Sequence, residues 1–272
     1  MALRNYLDHS VLPDAPDVDY SPGAVDFTNV LGNDALGDCT CAGIGHIIEA
    51  VTAASGRPVS ITTQQVIDLY SASCGYVPGR PETDQGGDEF AVLNYVTEKG
   101  IDGKGLHKFD ASVLVDATNK AELRAALYLF GNLYFGEELP ASYVSPFPSD
   151  GGTWDVAGDA VDTNGHAFIG FASDCRGIHV NTWGRRVLHT YEAIAKYAAP
   201  AVNGELHTVL TCDWFNAAAK APNGFAYQDL LSDLQAIGGK TAAPPILSPP
   251  APIVTRPALV DVIAALTPLW SP

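Results

Sequence analysis

A cysteine, a histidine and an asparagine, in that order and far apart in a chain, are the residue types that make a thiol nucleophile, its base and the group that orients the base. Cys39 lies in Asn33-Asp34-Ala35-Leu36-Gly37-Asp38-Cys39-Thr40, where an apolar helical pattern begins. His166 follows Gly165 and heads the apolar run Ala167-Phe168-Ile169-Gly170-Phe171, and Asn181 opens Asn181-Thr182-Trp183-Gly184. A thiol attacks only as thiolate, and a helix N-terminus with a neighbouring imidazole lowers its pKa. Gly37 permits a close backbone approach just before Cys39. The Asn181 side-chain carbonyl can accept the imidazole N–H and so fix tautomer and ring orientation, with Trp183 shielding that bond from water.

Each residue also has an ordinary structural reading. A buried Cys usually behaves as a small hydrophobe, which is the expectation for inward-facing Cys41. A His at the head of a buried strand is often a satisfied core residue. His46, seven residues beyond Cys39 on the same helix, reads as a packed histidine and not a second base. The Asp159, Asp162 and Asp174 stretches read as turns. Asp84-Gln85-Gly86-Gly87-Asp88 lacks the ligand spacing of a calcium loop, and Asn203-Gly204 is a hairpin signal. No metal and no cofactor is expected.

The elements that must position these residues are legible in outline. Residues 1–17 read as an arm, extended with the stretch up to residue 30 and carrying at most one short strand. Ala42, Ile44, Ile47, Ile48 and Val51 recur at helical spacing from Cys39 to Ala54. Thr62 or Thr63 caps a second helix over 64–73, a Gly- and Pro-rich loop spans 75–87, and a third helix over 88–99 is closed by Gly100. Thr118 or Asn119 caps a fourth through Leu129. Short β-branched or aromatic runs follow at 132–135, 167–172, 177–180, 187–190 and 206–211, with a helix near 191–198. The tight 172–177 connection predicts a hairpin that brings His166 near Asn181. Helices first and a mostly antiparallel sheet second is an α+β arrangement. Six prolines in 240–257 predict an extended linker, and 258–272 reads as an amphipathic segment able to dock on a partner.

A net charge of −16, from 31 acids and 15 bases, argues against nucleic acid and anionic membrane surfaces as partners. The first residues lack a basic head and apolar core, and no run reaches membrane-span length, so a cytoplasmic or virion-associated location is expected. Five cysteines without CxxC spacing argue against a disulfide framework or structural zinc.

Cys39 and His166 are 127 residues apart, and Cys39 and Asn181 are 142 apart, close to the roughly 130–150 of the papain and cathepsin group. The chain resembles the papain-like cysteine peptidases over residues 18–215. The family's oxyanion Gln, six residues before the nucleophile, corresponds to Asn33; its Asn-Ser-Trp-Gly corresponds to 181–184; its Gly-Gly pair opening a helix corresponds to Gly86-Gly87. The resemblance implies a papain-like two-lobe fold within 18–239, with a helical lobe over about 30–130 and an antiparallel β lobe over about 131–215. It implies that Cys39 attacks a peptide or isopeptide carbonyl, His166 carries the proton and Asn181 orients His166. The Cys39 N–H and the Asn33 amide would hold the oxyanion. Gly86, Gly87, Asp88 and Trp183 would contact a polypeptide substrate.

The family's Cys-Gly-Ser-Cys-Trp is Leu36-Gly37-Asp38-Cys39-Thr40 here, which places a carboxylate beside the thiol and removes an aromatic. Asn33 is a methylene shorter than Gln. Asp88 replaces a bulky wall of the second subsite with a polar one suited to a basic side chain. Only 38 residues precede Cys39, too few for the family's inhibitory propeptide. Gly-Asp-Cys-Thr is similar to motifs in uncharacterised bacterial and phage papain-like proteins. Two rival readings follow: a binding or structural protein on this scaffold, phage- or prophage-associated and docked through 258–270, and an amidase or transglutaminase-like enzyme.

Overall fold

The computed structural model describes residues 2–3, 15–21, 23, 26–145, 147, 152–229 and 232. The expected linker 240–257, the docking segment 258–272 and most of the arm 1–17 lie outside the described residues.

The described chain is α+β. It begins with β1 (Val18–Asp19), then α1 (Cys39–Ala54), α2 (Thr63–Cys74) and α3 (Glu89–Lys99). Next come β2 (Phe109–Leu114), α4 (Lys120–Phe130), β3 (Leu133–Glu138), α5 (Ala141–Val144) and β4 (Thr153–Trp154). The remainder is β5 (Gly165–Ser173), β6 (Gly177–Thr182), β7 (Arg185–Thr190), α6 (Tyr191–Tyr197) and β8 (Glu205–Thr211). Local chemistry sets the helix ends. Thr62 and Gln65 form a reciprocal capping box on α2, the Asp88 carboxylate accepts from Ala91 N at the start of α3, and Asn119 accepts from Ala121 N and Glu122 N on α4. Gly75 and Gly131 close α2 and α4 in the left-handed region.

The strands form one sheet in the order β2-β8-β3-β5-β6-β7-β4, with β1 paired to β5. Neighbouring strands are antiparallel except β4 and β7. Two of these strands have no counterpart in the sequence reading. The β2 sequence interrupts its apolar residues with Asp110 and Ser112, so it earns its place by pairing along β8. The two residues of β4 are too few to carry a pattern.

Helix α1 is buried continuously from Thr40 to Thr52, as a helix at the centre of a core should be. It packs along β5. A Cβ on Gly43 would stand 2.7 Å from the Tyr134 ring, so that glycine lets helix and sheet approach. The Tyr134 hydroxyl donates to Thr40 O at 2.8 Å, which pins the start of α1 to β3 at the residue beside Cys39.

Candidate active site

Cys39 is the first residue of α1 and His166 the second of β5, so packing of α1 along β5 brings helix start and strand head to one place. Both line a cleft of about 470 Å³ walled by Gly86, Gly87, Asp88, Glu89 and the Gly136–Glu138 end of β3. Both also line a small cavity of about 20 Å³ with Asn33, Asn181, Thr182 and Trp183. All eight site residues expected from the sequence thus face one or other of these spaces.

The hydrogen bonding differs from the expectation. His166 Nε2 pairs with Thr182 Oγ1 at 2.9 Å, and neither amide atom of Asn181 has a hydrogen-bond partner among the described residues. Strand register explains this. Ile169 lies opposite Asn181, so Thr182 comes opposite Phe168 and shares the face that alternation gives to His166. The orienting contact on the imidazole therefore belongs to Thr182.

Trp183 stacks on the imidazole with ring centres 4.0 Å apart and planes 13° from parallel. It sits in the two-residue β6–β7 turn, where Thr182 pairs with Arg185 and both Trp183 and Gly184 have positive φ, 44° and 71°. This is the primed hairpin geometry that follows strand twist. A tryptophan there is uncommon, and its stacking on His166 holds it.

Burial dominates the electrostatics. It pushes the Cys39 thiol up to about 11, with Glu89 and Asp38 adding to the effect against hydrogen bonds from the Ala167 and Thr40 backbone. Burial also holds His166 down at about 3. Burial thus acts on both groups against a thiolate–imidazolium pair and opposes the helix-terminus effect.

Asp38 is fully buried and lines neither cavity. Its Oδ2 points toward Gly32, where a Cβ would stand 2.9 Å away. Burial raises its carboxyl to about 7, with the nearby Asn33 amide opposing, although neither carboxylate oxygen makes a hydrogen bond of ordinary geometry among the described residues. The Asn33 amide itself donates to Leu36 O at 3.1 Å, so in this state it braces its own loop.

Asp84 had no role in the sequence reading beyond the rejected calcium loop. Its carboxylate accepts from Gly37 N at 3.0 Å and from the Tyr70 hydroxyl at 2.7 Å, and that hydroxyl in turn accepts from Gly86 N at 2.9 Å. One side chain thus ties the loop before Cys39 to the Gly86-Gly87 edge. Gly87 packs tightly too: a Cβ there would lie 2.4 Å from Thr40 Oγ1 and 2.8 Å from Cys74 Sγ. Cys74 is the more acidic member of a Cys41–Cys74 pair. Its thiol is lowered to about 7, first by the Cys41 hydrogen bond and less by Ser73, while Cys41 is raised by burial.

The Asp88 carboxylate caps α3 while the residue still lines the cleft, and Glu89, Glu137, Glu138 and Glu205 line it as well. Burial, then Glu205, Asp88 and Glu137, hold the Glu89 carboxyl well above the usual carboxylate range. His46 is buried against Glu49 at 3.1 Å, as a packed histidine.

Neither a protein-family model nor a curated protein matches the chain. Among solved structures it is similar to xylellain, a cysteine protease from Xylella fastidiosa, at a TM-score of 0.56 and 15% identity, covering 75% of this chain and 89% of that one. It is also similar to procathepsin L 3 of the Tenebrio molitor larval midgut, at a TM-score of 0.53 and 17% identity, covering 77% and 73%. Among the described residues no helix is long and apolar enough to cross a membrane.

Proposed function

We propose that this chain, which has the papain-like fold, is a thiol hydrolase that cleaves peptide or isopeptide bonds in a polypeptide laid along Gly86-Gly87. The observation that carries this reading is that Cys39, His166 and the Gly86-Gly87 edge wall a single cleft. In the proposed step Cys39 Sγ attacks the carbonyl carbon while His166 takes the thiol proton, then returns it to the leaving amine. Water, activated by the same imidazole, hydrolyses the thioester. Thr182 accepts the Nε2 hydrogen and keeps Nδ1 for the thiol proton. The Cys39 N–H, free of an intrahelical acceptor at the first turn, faces the oxyanion. Asn33 adds a second donor once its amide leaves Leu36 O.

A cysteine-directed epoxide tests the reading. Cys39 should be labelled selectively near neutral pH, and His166→Ala should abolish the labelling. Labelling of Cys39 no faster than of Cys74 or a free small thiol would sink it.

A second reading, a binding or structural protein on the same scaffold, draws on the burial that works against a thiolate–imidazolium pair and on the committed Asn33 amide. Its expected tail-mediated docking concerns residues outside those described. Deleting 240–272 should then abolish assembly with a partner and leave Cys39 labelling unchanged.

A further inference from the structure

We propose that Glu89, Glu205 and His207 form a binding site for a divalent transition-metal ion, joining α3 to β8 beside the thiol cleft. One ligand atom from each of the three residues lies within 4.8 Å of the other two. Glu205 Oε2 and His207 Nε2 are 3.0 Å apart, close to the roughly 3.3 Å edge that two ligands make around an ion bound at about 2.0–2.1 Å.

The third ligand supplies the independent reason to expect an ion. Glu89 is 7% exposed, and neither of its oxygens has a hydrogen-bond partner among the described residues. A buried carboxyl left so must keep its proton or meet a cation, and its two unpartnered oxygens offer a cation both lone-pair edges. The place is also shaped for it, because a Cβ on Gly136 would stand 2.3 Å from Glu89 Oε1. Any other residue at that point of β3 would displace the carboxylate.

The donor set distinguishes a metal from an organic cation. Two carboxylates and a neutral imidazole balance a charge of +2, whereas one ammonium or guanidinium at Glu89 would leave the negative charge of the partly exposed Glu205 unmatched. An imidazole nitrogen is also a preferred ligand of zinc and its neighbours, alongside carboxylate oxygen. On binding, Glu89 gives up the proton that burial favours and ligates as a carboxylate, His207 Nε2 offers its lone pair to the ion in place of its contact with Glu205, and the Glu89 proton and any proton held between Glu205 and His207 pass to solvent. Asp88 and Glu137, which both act electrostatically on Glu89, add to the attraction.

Calorimetric titration of the full chain with Zn²⁺ tests the site, and it reads binding whether or not Cys39 turns over. One equivalent should bind, and Glu89→Gln and His207→Ala should each weaken it by roughly 100-fold. The Cys39→Ser/Cys74→Ser double variant should stay within about threefold of the parent. Glu89→Gln is nearly isosteric and removes a buried ionisable carboxyl, and a thermal melt checks that it folds. Co²⁺ should give visible ligand-field bands without the near-ultraviolet charge transfer of a thiolate. Absence of stoichiometric binding, or binding that follows the cysteines, overturns the proposal. So does a Glu89→Gln variant that keeps Zn²⁺ affinity but loses affinity for arginine-containing peptides, since the pocket would then belong to a substrate side chain.

Discussion

Cys39 and His166 face the same water-poor space, and at that scale the balance between burial and helix field decides how the thiol reacts. Burial pushes the thiol up to about 11 and holds the imidazole down at about 3, so it works against the thiolate–imidazolium pair that a helix N-terminus and a neighbouring imidazole favour. Alkylation of Cys39 by iodoacetamide shows which influence wins: the proposed hydrolase requires a rate above that of a free thiol and nearly flat between about pH 6 and 9, whereas a roughly tenfold rise per pH unit, following an unaided thiolate fraction, would favour the binding-protein reading. A rate flat below pH 7 would mean that the ion pair is already formed. The measurement belongs in a Cys74→Ser background with peptide mass analysis, because Cys74 is the more acidic thiol. The orienting hydrogen bond gives a second prediction. Thr182→Val should lower kcat/KM about five- to tenfold, the worth of one hydrogen bond of ~1–1.5 kcal/mol. Asn181→Ala should cost less, since its amide makes no bond to the imidazole. The reverse ranking would return the orienting role to Asn181.

Between elements, the Asp84 carboxylate is the clamp that registers α1 against the Gly86-Gly87 edge, through Gly37, Tyr70 and Gly86. Asp84→Ala leaves a backbone N–H and a hydroxyl without their acceptor, so unfolding free energy should fall by roughly 1–3 kcal/mol. Cys39 labelling should slow about tenfold or more as the edge loosens. Asp84→Asn keeps one oxygen for both donors and should restore most of each. Equal losses in the two variants would mean that charge, not connectivity, is what matters.

The clamp also marks where reading the sequence stops. The caps at Thr62, Asp88 and Asn119 are local, and the spans of α1 to α4 follow from them and from apolar spacing. Asp84 meets Gly37 across 47 residues, and nothing in either neighbourhood announces the other. β2 is invisible for the same reason, since its partner β8 lies about a hundred residues on. Thr182 was within reach: once 165–173 and 177–182 are paired, alternation assigns it the face of His166. The expectation for Asn181 comes from its amide chemistry and the 165–182 hairpin, neither of which reveals that the register turns Thr182 to the imidazole. Glu89 gives no local signal, since its place beside Asp88 in the cleft depends on how α3 packs against β3 and β8.

The molecule as a whole carries a net charge of −16 and buries several acids besides. Asp38 is raised to about 7, and Glu89 and Asp110 are raised too, in each case first by burial. A carboxyl raised in the folded state favours folding while both states are protonated, below its unfolded pKa of about 4. That advantage drains away as pH climbs from there through the folded value, near 7 for Asp38. Acids of the opposite kind, such as Asp174 held near 2 by its Arg176 and His179 hydrogen bonds against burial, lose their contribution only as pH falls through about 4 toward that value. Together these terms place the maximum of thermal stability near pH 5, with a decline toward pH 8. The decline has two components that salt separates. Repulsion among surface acids is screened at 1 M salt, whereas the cost of ionising a buried carboxyl is not. Melting followed by circular dichroism should therefore show a pH 5 to 8 drop that shrinks in salt without vanishing. Asp38→Asn should remove several degrees of what remains, since ~1 kcal/mol is about 2–4 °C for a chain of this size. A drop that salt abolishes completely, or one that Asp38→Asn leaves intact, would show that surface charge alone sets the pH response and that Asp38 ionises freely in the folded protein.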